Sequence, residues 1–120
     1  MSEVTLYGIA NCDTVRKARR ALDAAGVSVR FVDLRKDGLE PARLQRWVEV
    51  AGWEALVNRR GTTWRQLPED ERSDMNADRA LALMQAHPTL IKRPVIEHGA
   101  NGEALEVGWN TAVATRLGAA

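Results

Sequence analysis

The chain has a single cysteine, and this scarcity excludes more than any of its abundant residues. One thiol cannot form an internal disulfide, so the fold stands without covalent cross-links and suits a reducing cytosol. Two histidines beside one cysteine make no recognisable zinc ligand set, so no metal site is expected. His87 precedes a proline and His98 lies in a Gly/Asn stretch; both read as structural or solvated. No sign of charge dominates, with 17 basic and 16 acidic residues. General attraction to nucleic acid or an anionic membrane is therefore not expected. No apolar run approaches membrane length, and the Met1-Ser2-Glu3 start has no basic or apolar leader region. The expected location is cytoplasmic. Repeats, low-complexity stretches and linkers are missing too.

What is present is enough for one domain with a real core over residues 1–120. The cysteine, Cys12, sits where a strand gives way to a helix. Val4 to Ile9 reads as a buried strand, and from Asp13 an apolar stripe at Val15, Ala18, Leu22 and Ala25 keeps helical spacing. A thiol just before a helix meets unpaired backbone N–H groups and the positive end of the macrodipole. Both favour thiolate, the form that attacks disulfides and oxyanions. Arg16 and Lys17 add positive charge one turn on. A lone cysteine is most often buried and structural, but such residues usually lie inside a strand or on a helix's apolar stripe.

Gly26 is expected to end the first helix, and Val27 to Asp33 to form a second strand rich in β-branched residues. Strand, helix, strand reads as a βαβ unit with a parallel pair. After a turn at residues 35–38, Pro41 opens a helix with an apolar face of Leu44, Trp47, Val48 and Ala51, closed by Gly52. Leu56 and Val57 suggest a short helical turn, and Gly61-Thr62-Thr63 a loop. Pro68-Glu69-Asp70-Glu71 looks like an acidic first turn. Asn76 caps a helix carrying Ala80, Leu83 and Met84, which Pro88 stops. Leu90 and Ile91 lead into a strand at Arg93-Pro94-Val95-Ile96. Asn101-Gly102 signals a hairpin, Ala104 to Val107 returns, and Asn110 caps a last helix with Val113 and Leu117 inward. The order is β-α-β, a helical block, then β-β-α. This is an α/β, thioredoxin-like plan with an all-helical insertion: halves at 1–38 and 89–120, insertion at 39–88.

Four features carry candidate chemistry. Around Cys12, Thr14 either donates to the sulfur or satisfies backbone at the helix start, and Asp13 serves the helix dipole. Val15 stands where a second cysteine would complete Cys-X-X-Cys, so an external thiol must clear any covalent intermediate. Asn58-Arg59-Arg60-Gly61-Thr62-Thr63-Trp64-Arg65 reads either as a carboxylate or oxyanion site or as a solvated basic loop. In Lys92-Arg93-Pro94-Val95 the X-Pro bond reads as trans from local sequence. Of the tryptophans, Trp47 reads as core, while Trp64 and Trp109 lie beside loops, where packing competes with a place flanking a site.

Residues 7–18, from Tyr7-Gly8-Ile9-Ala10-Asn11-Cys12 to Val15-Arg16-Lys17-Ala18, together with residues 58–65 and 87–94, resemble the ArsC/Spx family, and within it the YffB branch of glutathione-linked, arsenate-reductase-like proteins. The match runs over about residues 4–117. The resemblance implies that Cys12 is the nucleophile and that Arg93-Pro94 is a cis peptide facing it. It implies that Arg93 holds an oxyanion or its adduct, and that Arg60, or Arg59 with a register shift, supplies a second cation. Asn11, Thr14, Arg16, Pro94 and Val95 complete the expected substrate and glutathione site, with Pro94 and the Val95 backbone aligning glutathione as a short extra strand.

The chain also departs from the family pattern. Arsenate reductases of this group carry histidine four residues before the cysteine and serine three after it, where this chain has Gly8 and Val15. A third arginine in the last hairpin is replaced by Ala104-Leu105-Glu106-Val107. The reading that follows is an oxidoreductase: a glutathione-dependent thiol reductase acting on a small oxidised or oxyanion substrate. Its Cys12 is resolved by glutathione or by a glutaredoxin, with glutathione as co-substrate and no bound cofactor. The alternatives are a true arsenate reductase and a non-catalytic Spx-like regulator that binds the RNA polymerase α subunit. Direct nucleic-acid binding is not expected under any of them.

Overall fold

The computed structural model describes residues 3–120; the Met1-Ser2 part of the start discussed above lies outside the described residues. The described residues divide into two compact units, one running through residue 37 and resuming over 93–120, the other of residues 38–92.

The first unit is built on a four-stranded sheet. Strand β1 (Glu3–Gly8) leads to helix α1 (Asp13–Ala24) and strand β2 (Ser28–Asp33), which lies parallel to β1 with Leu6 opposite Phe31. Strands β3 (Val95–His98) and β4 (Ala104–Val107) form an antiparallel hairpin, and β3 also pairs antiparallel with β1. The strand order is β2-β1-β3-β4. Helix α7 (Thr111–Arg116) packs with α1 on one sheet face. Period-two alternation puts Val4, Leu6 and Ile96 on that face, where Val15, Ala18 and Leu22 of α1 and Val113 of α7 meet them. Burying a leucine such as Leu22 completely stabilises the fold by about 1.5–3 kcal/mol. Ala25, expected on the same stripe, is exposed: Ala24 is the last helical residue, and Gly26, at φ 76°, turns the chain away. Asn110 caps α7 by accepting from the Val113 N–H at 2.9 Å, as its position before the helix suggested.

Glu106 lies opposite Ile96 in the β3–β4 register, yet its carboxylate is only 11% exposed. Arg116 Nη2 donates to it at 2.7 Å, and His98 Nε2 lies 3.0 Å away. Of the two readings open for His98, structural or solvated, the pairing makes it structural, held at the end of β3. The Arg116 guanidinium first, and His98 after it, hold the Glu106 carboxyl below its usual range, with burial opposing. A carboxylate depressed in this way stabilises the fold fully above its unfolded pKa, about 4.3, and loses that contribution as pH falls through the folded value. Thermal unfolding should therefore lose stability below about pH 4.3. Glu106→Gln should flatten that acid limb; an unchanged limb would mean that the carboxylate contributes nothing.

The second unit is helical. Helix α2 (Pro41–Ala51) packs on α3 (Trp53–Leu56) and α6 (Ala77–Ala86), burying Leu44, Trp47, Leu56 and Met84. Pro41 opens α2 and Gly52 closes it, while Asn76 caps α6 through the Arg79 N–H at 2.9 Å. Two short helices, α4 (Thr62–Gln66) and α5 (Glu69–Arg72), lie between. Gly61-Thr62-Thr63 is therefore not a plain loop but the entry to α4, fixed where Thr63 and Thr89 share a hydroxyl hydrogen bond of 2.7 Å. A 3-10 turn at Pro88–Leu90 follows α6. Residues 89–92 group with this unit rather than with the sheet, because Ile91 bridges Val57 and the Lys92 N–H donates to the Leu56 carbonyl at 2.6 Å. No helix among the described residues is long and apolar enough to cross a membrane.

Candidate active site

Cys12 is the N-cap of α1, with φ −141° and ψ 121°, and its thiol is half-buried. Its carbonyl accepts the first helical bond, from the Arg16 N–H at 3.0 Å, but its side chain caps nothing. The sulfur therefore sits at the head of a twelve-residue helix, whose first N–H groups have no helical partners. Arg16 pairs with Asp13 on the exposed side of the first turn. Asn11 and Thr14 are exposed, and the Thr14 hydroxyl makes no hydrogen bond among the described residues, either to the sulfur or to backbone. Val15 is completely buried, pointing into the sheet.

The loop carrying the thiol is tied down by a residue that the sequence reading passed over. Asp33, ending β2, accepts from the Arg35 and Lys36 N–H groups through Oδ1 and from the Ala10 N–H through Oδ2 at 3.4 Å. The Lys36 N–H is the largest of several causes that hold this carboxyl below its ordinary range. The Leu34 N–H also donates to the Gly8 carbonyl at 2.8 Å. The signal was available: an Asp at a strand end, followed by a short polar turn, commonly binds backbone two or three residues on.

The Arg93–Pro94 bond is cis. Val95 lies opposite Tyr7, so Pro94 and the residues after Gly8 emerge from the same end of the sheet. Pro94 is buried and its carbonyl accepts from the Gly108 N–H at 2.7 Å; Arg93 is half-buried. The role expected for the Val95 backbone needs correction. Val95 has Tyr7 on one side and Val107 on the other, so it offers no free edge for an added peptide strand.

In the helical unit, Arg59 and Arg60 share a cavity of about 550 Å³ with Glu54, Asn58 and Lys92. The two arginines differ. Arg59 lies over the ring of Trp53, 5.4 Å from its centroid, and 5.8 Å from that of Trp64, whereas Arg60 is exposed with no ring or ion-pair partner among the described residues. Trp64 thus flanks a candidate residue, joined by Trp53, while Trp109 packs against the core of the sheet unit. Among the described residues no group of three or more His, Cys, Asp or Glu side chains is placed to hold a metal.

A parallel β-α-β half joined through its first strand to an antiparallel hairpin and helix, with a cis-proline opening the hairpin, is the thioredoxin-like class of α/β protein. The ArsC family model matches residues 7–116, and the chain belongs to the ArsC family. It is 42% identical over 107 residues to an uncharacterized protein of Haemophilus influenzae, covering 89% of this chain and 91% of that one. Among solved structures, a YffB protein aligns with a TM-score of 0.88 at 39% identity, covering 97% of this chain and 99% of the other. An arsenate reductase (ArsC) related protein from Brucella melitensis aligns with a TM-score of 0.75 at 46% identity, covering 92% and 89%.

Proposed function

We propose that this protein is a cytoplasmic glutathione-dependent thiol reductase with Cys12 as its only nucleophile. The observation that carries the reading is a half-buried thiol at the N-cap of α1, in a chain with no second cysteine. In the first step the Cys12 thiolate attacks one sulfur of an oxidised substrate. A Cys12–sulfur bond forms, the substrate's disulfide bond breaks, and the other sulfur leaves as thiolate and takes up a proton. Glutathione thiolate then attacks the mixed disulfide and frees one partner; where that leaves Cys12 bound to glutathione, a second glutathione releases oxidised glutathione and restores the thiol. Because Val15 stands where an internal resolving cysteine would be, each turnover consumes external thiol.

Arg93, which belongs to the same unit as Cys12, is the cation assigned to a carboxylate of glutathione or to an oxyanion. Arsenate is a narrower substrate reading, favoured by the similarity to the arsenate reductase (ArsC) related protein of Brucella melitensis. Gly8, Val15 and the engagement of Glu106 with Arg116 and His98 count against it. Incubation with oxidised glutathione, read by intact mass, tests the proposal. One glutathione adduct should form on Cys12 and disappear on adding reduced glutathione. No adduct on the folded protein, or one that reduced glutathione does not discharge, would overturn it.

A further inference from the structure

The edge of the sheet carries a second organised surface. Strand β2 is outermost in the order β2-β1-β3-β4, so one side of its backbone has no strand partner among the described residues. Beside it runs a cavity of about 670 Å³, walled by Arg16, Arg19, Arg20 and Asp23 of α1 and floored by Val27 and Val29. Arg19 lies over the Phe31 ring, 4.3 Å from its centroid, which fixes its guanidinium at the strand. Arg20 is exposed and has no ion pair among the described residues. The cavity lining carries three basic side chains, Arg16, Arg19 and Arg20, against the acidic Asp23, a net +2, with Arg16 already paired to Asp13.

We infer that this groove docks an acidic, extended segment of a partner protein, which adds to β2 as a fifth strand. Extended peptides recognise open sheet edges through main-chain hydrogen bonds and take specificity from alternate side chains. The planar guanidinium forks of Arg19 and Arg20 match carboxylates on the alternate positions that share the sheet face of Val29 and Phe31, and the intervening residues fall on the opposite face. Asp23 sets the polarity, since the partner residue opposite it must be neutral or basic. A second copy of this chain fits poorly, because pairing β2 with itself brings two arginine rows together. The apolar floor and free backbone edge favour peptide over nucleic acid, which offers no strand to pair. This inference does not depend on the thiol chemistry.

The probe is a fluorescent synthetic peptide alternating Glu with Val, titrated into the Cys12→Ser protein. Binding should shift amide resonances of α1 and β2 and slow hydrogen exchange of the outward β2 amides. Arg20→Glu, at an exposed position without a partner, should weaken binding about tenfold while leaving the rest of the amide spectrum unchanged. A control with Pro in place of each Val keeps the charge but cannot join a sheet. Equal binding of that control overturns strand addition. So do shifts centred on Arg59 and Arg60, or a single-stranded oligonucleotide that binds as tightly without protecting β2.

Discussion

Replacing Cys12 with serine should raise the melting temperature while removing turnover. The position calls for a small side chain with a hydroxyl. Its backbone is extended, it precedes a helix of twelve residues, and the cysteine side chain makes no capping hydrogen bond. Serine is among the preferred N-caps because its oxygen accepts from the N–H two or three residues on, a contact worth about 1 kcal/mol. In a domain of this size that shifts the midpoint by about 4 °C. Sulfur is a poor acceptor by comparison, so cysteine here forgoes stability. Disulfide exchange in a glutathione-coupled assay should fall to the uncatalysed rate, because a hydroxyl at neutral pH does not replace a thiolate as nucleophile. A more stable, inactive variant is the signature of a residue retained for chemistry at a cost in stability. Full turnover in Cys12→Ser would end the proposed mechanism, and a lowered melting temperature would show that the thiol packs rather than reacts.

Much of this arrangement is local, and the local part was legible. Asn76 and Asn110 each bond an N–H three residues ahead, so side-chain type and the apolar stripe that follows sufficed to place both helix starts. The hairpin between β3 and β4 announced itself through Asn101-Gly102. What depended on distant partners was not legible from the residues themselves. Helix α4 has five residues and draws on a threonine far along the chain, so its Gly-Thr-Thr start looked like a loop. Val95 read correctly as strand, but only pairing with both Tyr7 and Val107 makes it central and closes its backbone to ligand. Local sequence gave Arg93–Pro94 as trans; family resemblance, not local preference, pointed to the cis bond observed. The difference between Arg59 and Arg60 is a matter of where two indole rings lie, which spacing alone does not specify.

Introducing the arsenate-reductase histidine at position 8 should damage the fold unless Val15 changes with it. A Cβ built on Gly8 would sit 2.6 Å from Val15 Cγ2 and 3.2 Å from Cγ1, closer than atoms tolerate. Val15 cannot retreat easily, since it is fully buried in the core that joins α1 to the sheet. Overpacking of this kind costs about 1–3 kcal/mol for a single methyl, and an imidazole asks for more room than alanine. Gly8→Ala should therefore lower stability by about 1–3 kcal/mol in denaturant unfolding. Gly8→His should lose more, with a fraction of the protein failing to fold. In the paired variant Gly8→His/Val15→Ser the methyl groups that block position 8 are gone, and much of the loss should return. The two departures from the arsenate-reductase pattern are then one structural choice: a branched residue three places after the thiol requires a bare backbone four places before it. Additive losses in the double variant would break that link, leaving Gly8 and Val15 as separate accidents. Recovery of stability would provide a folded protein in which the effect of a histidine near Cys12 on arsenate-dependent thiol consumption can be measured directly.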